Sequence, residues 1–135
     1  FIDVYMVSDL MDTNLYGVKT RYSYHQYLPE DMHTVEFRAL VKYDHEDGSA
    51  RRYDYPASWY PGEAPFARRP GATAEDDGWL VTIATNAETL RSECWVLSAQ
   101  DVERGPIARV QLPARVPSGF HAKWIAGERI WGSVA

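Results

Sequence analysis

EFRALVKYDHEDGSARRYDYP, residues 36–56, sets two β-rich runs on either side of the polar connector HEDGS. Asp47 and Gly48 give that connector the chemistry of a tight turn, since glycine reaches a positive φ without steric penalty. The stretch predicts an antiparallel hairpin. Further strands are expected at Trp79 to Thr85 and Glu93 to Ser98, around the connector NAETLR, where apolar residues alternate imperfectly as in half-buried strands. IARVQLP, residues 107–113, adds another after the Gly105 and Pro106 turn, and Pro113 with Pro117 should stop it. A last strand is expected over Phe120 to Ile125. PGEAPFARRPGA, residues 61–72, broken by Pro61, Pro65 and Pro70, reads as an edge-like strand or a strand start. MVSDLMDTNLYG, residues 6–17, is the best helix candidate in a chain with no long helical pattern.

The hairpin has a counterpart. LVKYDHEDGSARRYDYP and WVLSAQDVERGPIARVQLP share one plan: apolar strand, polar turn, basic residue, strand, proline. Asp44 then matches Ser98, 54 residues on, and Pro56 matches Pro113, 57 residues on. These offsets lie close to the roughly 40 to 50 residues of a four-stranded propeller blade. Glu63 and His121 stand 58 residues apart, each after a glycine or a glycine-aromatic pair, in GEAPF and GFH. A propeller would set them at equivalent channel-side positions on neighbouring blades, and a carboxylate beside an imidazole is the arrangement that fixes a metal-bound histidine's tautomer.

At 135 residues the chain is long enough for one domain, and its 45% hydrophobic content argues for a packed core rather than disorder. A net charge of −5 gives no electrostatic reason to expect a nucleic-acid or anionic-membrane partner. No apolar run is long enough for a transmembrane segment, and FIDVYMVSDLMD at the start lacks the features of a signal peptide. The single Cys94 excludes an internal disulfide and a cysteine zinc site; it fits a reducing compartment, so a cytoplasmic location is expected. A first residue Phe1, rather than Met, hints at a fragment boundary or a processed end.

The run from Gly62 to Ile125 resembles the C-terminal part of the carotenoid cleavage oxygenases, particularly the bacterial lignostilbene dioxygenase-like branch. The residues that carry the likeness are GEAPFARRPG, the EDDG turn, ARVQLP and the closing GFHAKWI. More loosely it extends upstream through RALVKYDHEDGSARRYDY and TRYSYHQY to the start, leaving AGERIWGSVA, residues 126–135, as an unassigned tail. Departures are Ala64 where the family usually has proline, Ser98 where it has aspartate, and Ala122 where it has glycine.

The resemblance implies an all-β, antiparallel partial propeller over residues 1–125, about the last two blades of seven. It implies a non-haem iron(II) enzyme that cleaves an alkene bond of a carotenoid, apocarotenoid or stilbene with dioxygen, giving two carbonyl products. His121 matches the last of four histidine iron ligands and Glu63 one of the glutamates that brace them. The other three ligands would lie upstream of anything matched, and His25, His33 and His45 fall where the family has none. The chain alone is therefore expected to be inactive, with open sheet edges that favour self-association. Trp59, Tyr60, Phe66, Phe120 and Trp124 flank the two positions and could wall an apolar tunnel for an apolar alkene.

Blander readings stand beside these. His121 could be a packed core histidine and Glu63 a turn carboxylate. Asp76 and Asp77 in EDDG read as a solvated loop rather than an acid/base pair. Arg51, Arg52, Arg68 and Arg69 read as solvent-facing strand-end charges, and Cys94, in a strand pattern, as structural rather than nucleophilic. The alternative to an oxygenase part is a non-catalytic β-sheet fragment or binding module without iron, because one imidazole does not hold iron(II) tightly.

Overall fold

The computed structural model describes Leu15 and residues 17–29, 36–119 and 121–131. Strands β1 (Tyr22–Tyr27), β2 (Ala39–Asp44) and β3 (Ala50–Asp54) form one antiparallel sheet in that order. The second sheet holds β4 (Trp59–Pro61), β5 (Phe66–Arg68), β6 (Gly78–Asn86), β7 (Ser92–Ser98) and β8 (Pro106–Gln111). β4 and β5 both pair with the long β6, one on each half, and β7 and β8 follow outward. Among the described residues helix is confined to short turns and α1 (Gly127–Trp131).

The turn chemistry of the first hairpin is as the residues demand. Gly48 takes φ 72°, its N–H donates to the Asp44 carbonyl at 2.9 Å, and the Ser49 N–H donates to the Asp47 carboxylate at 2.7 Å. The two matched runs fall on β2–β3 and β7–β8, in each case the last two strands of a sheet's order. β1, which alternation did not reveal, carries YSYHQY, with aromatic and polar residues on both faces.

One face of each sheet meets the other. Tyr24 and Leu40 from the first sheet and Tyr55 just after β3 pack with Phe66, Leu80, Ala84, Trp95 and Leu97 from the second. Tyr24 stacks on Phe66 at 5.9 Å, and Trp95 contacts both Tyr55 and Trp59. Gly105 lies so near the Tyr53 ring that a Cβ there would fall 2.6 Å from it.

The acidic turn departs from expectation. Glu75 accepts the Arg21 and Tyr22 N–H groups at the start of β1, at 3.0 and 2.8 Å, and Asp76 pairs at 2.7 Å with Lys42, whose side chain is buried. Asp77 pairs with Arg69 on the surface. Asp76 is therefore a bond between the sheets rather than a solvated loop residue, because a buried ammonium requires a carboxylate within reach.

The strand expected over Phe120 to Ile125 is not found among the described residues: 121–126 form no ladder, and Phe120 lies outside them. The Ala122 N–H donates to a side chain instead, so the alternation of this segment has no strand to serve. Within the unassigned tail the described residues include α1. The helix expected over residues 6–17 lies almost entirely outside the described residues.

Candidate functional site

Glu63 sits between β4 and β5, on the stretch where the chain crosses from one half of β6 to the other. Its side chain is 2% exposed, yet among the described residues no lysine or arginine pairs with it. Its partners are two N–H groups: His121 Nδ1 at 3.0 Å from Oε1 and the Ala122 backbone nitrogen at 2.6 Å from Oε2. His121 is the opposite in burial, with 74% of its side chain exposed. The two residues expected to act together are thus in contact across 58 positions of sequence.

That contact has a chemical consequence. A carboxylate accepts only, so the neutral imidazole must donate from Nδ1 and carry its lone pair on Nε2. Metal-ligating histidines are commonly held this way. Ala122, where close backbone approach could have demanded glycine, is not among the residues with positive φ, and its N–H reaches Glu63 without strain.

Glu63 is located by the residue before it. The Gly62 N–H donates to the Ile83 carbonyl at 2.9 Å, and the Gly62 carbonyl accepts from Gln26 Nε2 at 2.7 Å and from the Thr82 hydroxyl at 3.1 Å. Gln26 and Thr82 were invisible to sequence reading, because neither carries a motif and Gln26 lies in the other sheet.

The remaining candidates go elsewhere. His25 and His45 meet one another through Ser23, whose hydroxyl is 2.9 Å from His25 Nε2 and 2.8 Å from His45 Nε2. His33 lies outside the described residues. Among the described residues no group of three or more His, Cys, Asp or Glu side chains converges as a metal site. Cys94 is half-buried on β7, paired in register with Ile83 and Val110, while His121 is engaged with Glu63.

The expected aromatic wall is only partly available. Phe66 is core and Trp59 packs on Trp95, so both face the sheet interface rather than a tunnel. Tyr60 lies under the Arg38 guanidinium, and Trp124 is exposed. A surface cleft of about 160 Å³ is lined by charged groups, including Arg21, Lys42, Asp44 and Asp76, which suits no apolar alkene. Of the arginines expected at the surface, Arg52 pairs with Asp54 and Arg69 with Asp77.

The comparisons with known proteins agree with the architecture. The apocarotenoid-15,15'-oxygenase of Synechocystis sp. is 34% identical over 108 residues, 80% of this chain and 22% of that protein. Lignostilbene-alpha,beta-dioxygenase isozyme III of Sphingomonas paucimobilis is 34% identical over 79 residues, 54% of this chain and 16% of its own length. The chain thus spans about a fifth or less of these relatives. The solved structure of cobalt-substituted Synechocystis apocarotenoid oxygenase superposes with a TM-score of 0.69 at 33% identity, covering 78% of this chain and 22% of that one. Among the described residues no helix is long and apolar enough to cross a membrane. The family model of the retinal pigment epithelial membrane protein matches residues 10–126, and the chain belongs to this family, that of the carotenoid oxygenases.

Proposed function

We propose that this chain supplies one histidine ligand, with its bracing carboxylate, to an iron(II) oxygenase that cleaves an alkene bond of a carotenoid, apocarotenoid or stilbene with dioxygen. On this reading the two sheets are about the last two blades of a seven-bladed propeller over residues 1–125, followed by a tail. The observation that carries it is the His121–Glu63 contact, in which a buried carboxylate holds an exposed imidazole by Nδ1.

The donor set fits one corner of such a centre. His121 would bind the metal through Nε2, and Glu63 would fix its tautomer and ring orientation. The Ala122 N–H ties the second Glu63 oxygen, so the carboxylate cannot rotate away from the ring. Iron(II), when bound, supplies the activation of dioxygen. Its other ligands, the dry cavity around the substrate and most of the tunnel wall would come from outside the described residues.

The second reading is a β module without iron. A single histidine of the four expected favours it, as does the exposed far face of the second sheet, where Ile83 and Val110 are 42% and 55% exposed and, among the described residues, β8 pairs on one side only, an edge that would support self-association. Metal analysis of the complete polypeptide carrying this sequence separates the two. Stoichiometric iron that is lost in His121→Ala, together with carbonyl products from a stilbene or apocarotenoid, supports the oxygenase. An iron content that His121→Ala leaves unchanged refutes His121 as a ligand.

A further inference from the structure

His121 is too exposed to be oriented by enclosure alone; Glu63 holds its ring at Nδ1, and the place of Glu63 depends on where Gly62 is held. Gly62 is gripped from both sheets. Ile83 and Thr82 hold it from β6, whereas Gln26 reaches its carbonyl from β1 across the sheet interface at 2.7 Å.

Gln26 is fully buried and both ends of its amide are used. The Gly62 carbonyl can only accept, which assigns the amide nitrogen to that side. The amide oxygen then accepts the Tyr55 hydroxyl at 3.0 Å. Burial raises the Tyr55 pKa well above the ordinary phenol value, so the hydroxyl stays protonated and donating. A buried amide carries a desolvation cost that an apolar side chain of similar size would avoid, and its return is a defined geometry.

We propose that Gln26 is a positioning residue for the Glu63–His121 pair: from the opposite sheet it clamps the Gly62 carbonyl and so fixes where the Glu63 carboxylate meets His121 Nδ1 and the Ala122 N–H. Its importance for a metal rests on the reading of His121 as a ligand; its control of the pair does not. Gln26 acts through a single peptide unit, with Tyr55 setting the direction of its amide.

The test uses the complete polypeptide carrying this sequence and compares wild type, Gln26→Leu, Tyr55→Phe and His121→Ala. In the metal-free protein, nitrogen-15 NMR follows the His121 Nδ1 proton; with cobalt(II) as probe, the visible spectrum and Kd report ligation. Gln26→Leu should speed exchange of the Nδ1 proton and raise the cobalt(II) Kd about tenfold, the low end of what loss of a bracing partner costs. Tyr55→Phe should move both in the same direction by less. In a Glu63→Gln background, Gln26→Leu should add under about twofold in Kd, since its route to the metal is already cut.

A Gln26→Leu protein that melts earlier yet keeps the Nδ1 proton protected overturns the proposal, as does an equal loss of cobalt(II) affinity in both backgrounds. If Gln26→Leu does not fold, Tyr55→Phe is judged by the same two signals. Cobalt(II) affinity unchanged in His121→Ala would sink the metal reading alone, and the Nδ1 proton would still decide the role of Gln26.

Discussion

Replacing Glu63 by glutamine tests the pair at its single shared proton. The carboxylate accepts at both oxygens, from His121 Nδ1 at 3.0 Å and from the Ala122 N–H at 2.6 Å. A carboxamide of the same shape offers one acceptor and one donor. The Ala122 N–H can only donate, so it claims the amide oxygen and turns the NH2 toward His121. The imidazole is the one member of the trio able to change role: Nδ1 becomes the acceptor and the proton moves to Nε2. That proton now occupies the lone pair a metal would need. Loss of a bracing carboxylate typically weakens metal binding about 10- to 100-fold, or about 1.4–2.7 kcal/mol. The fold itself should change by no more than about 1 kcal/mol in either direction, since two charge-assisted bonds become neutral ones while the cost of burying a charge is relieved. Long-range nitrogen-15 correlation on the metal-free protein, at a pH where the ring is neutral, should show Nδ1–H in wild type and Nε2–H in Glu63→Gln. A proton that stays on Nδ1 in the variant would refute the reasoning, whatever the metal data show.

Asp76→Asn should lower stability to urea by about 3 kcal/mol, because it strands the buried Lys42 ammonium, whereas Asp77→Asn, which breaks a more exposed pair, should cost under about 1 kcal/mol. Equal losses would mean that Asp76 does not join the sheets. Gly78→Ala would set a Cβ 2.5 Å from the Phe66 ring and 2.6 Å from the Ala67 carbonyl, so a loss of about 1–3 kcal/mol is expected, against a near-neutral Gly119→Ala with open space around it. A thermal scan that ranks the two alike contradicts the β5–β6 packing. The Arg21 guanidinium, hydrogen-bonded to Asp44, lowers that carboxyl to about 2. Since the folded value is the depressed one, its stabilising effect is present above the unfolded value of about 3.9 and lost as pH falls toward about 2. Carbon-13 titration should find this midpoint and see it rise in Arg21→Gln; Arg21 is open to solvent and Asp44 only partly so, so added salt should weaken the shift in part.

The elements that sequence revealed are those whose signals are local. The Asp47–Gly48 turn states its own geometry, and the runs that become β2–β3 and β7–β8 share a plan of apolar strand, polar connector and strand that the sequence shows directly. Glu63 and His121 were legible as a pair for other reasons, the 58-residue offset between GEAPF and GFH and then the family motif, because nothing in GEAPF by itself calls for an imidazole. Failures arose where a long-range partner decides the outcome. His121 to Ile125 alternates like a strand, but the Ala122 N–H is taken by a side chain. EDDG looks like an ordinary solvated turn until Lys42, 34 residues earlier, is found buried against it. YSYHQY conceals β1 because the face that binds Gly62 and the face that carries His25 are both part polar.

The burial of Glu63 is difficult to explain by stability. A carboxylate held, among the described residues, by two N–H groups and no basic side chain gives up more hydration than those bonds return, and a turn between β4 and β5 could be made by an uncharged residue. Among the described residues no basic side chain brings a positive charge to Glu63 directly, and the imidazole stands between it and any cation at Nε2. A cation at Nε2 would complete the arrangement, since the ring would then relay that charge to a carboxylate already desolvated and aimed. A protonated His121 could balance the same carboxylate, but it would need no fixed ring direction. The tie from Ala122 and the clamp on Gly62 both fix direction, and that favours a ligand over a simple ion pair.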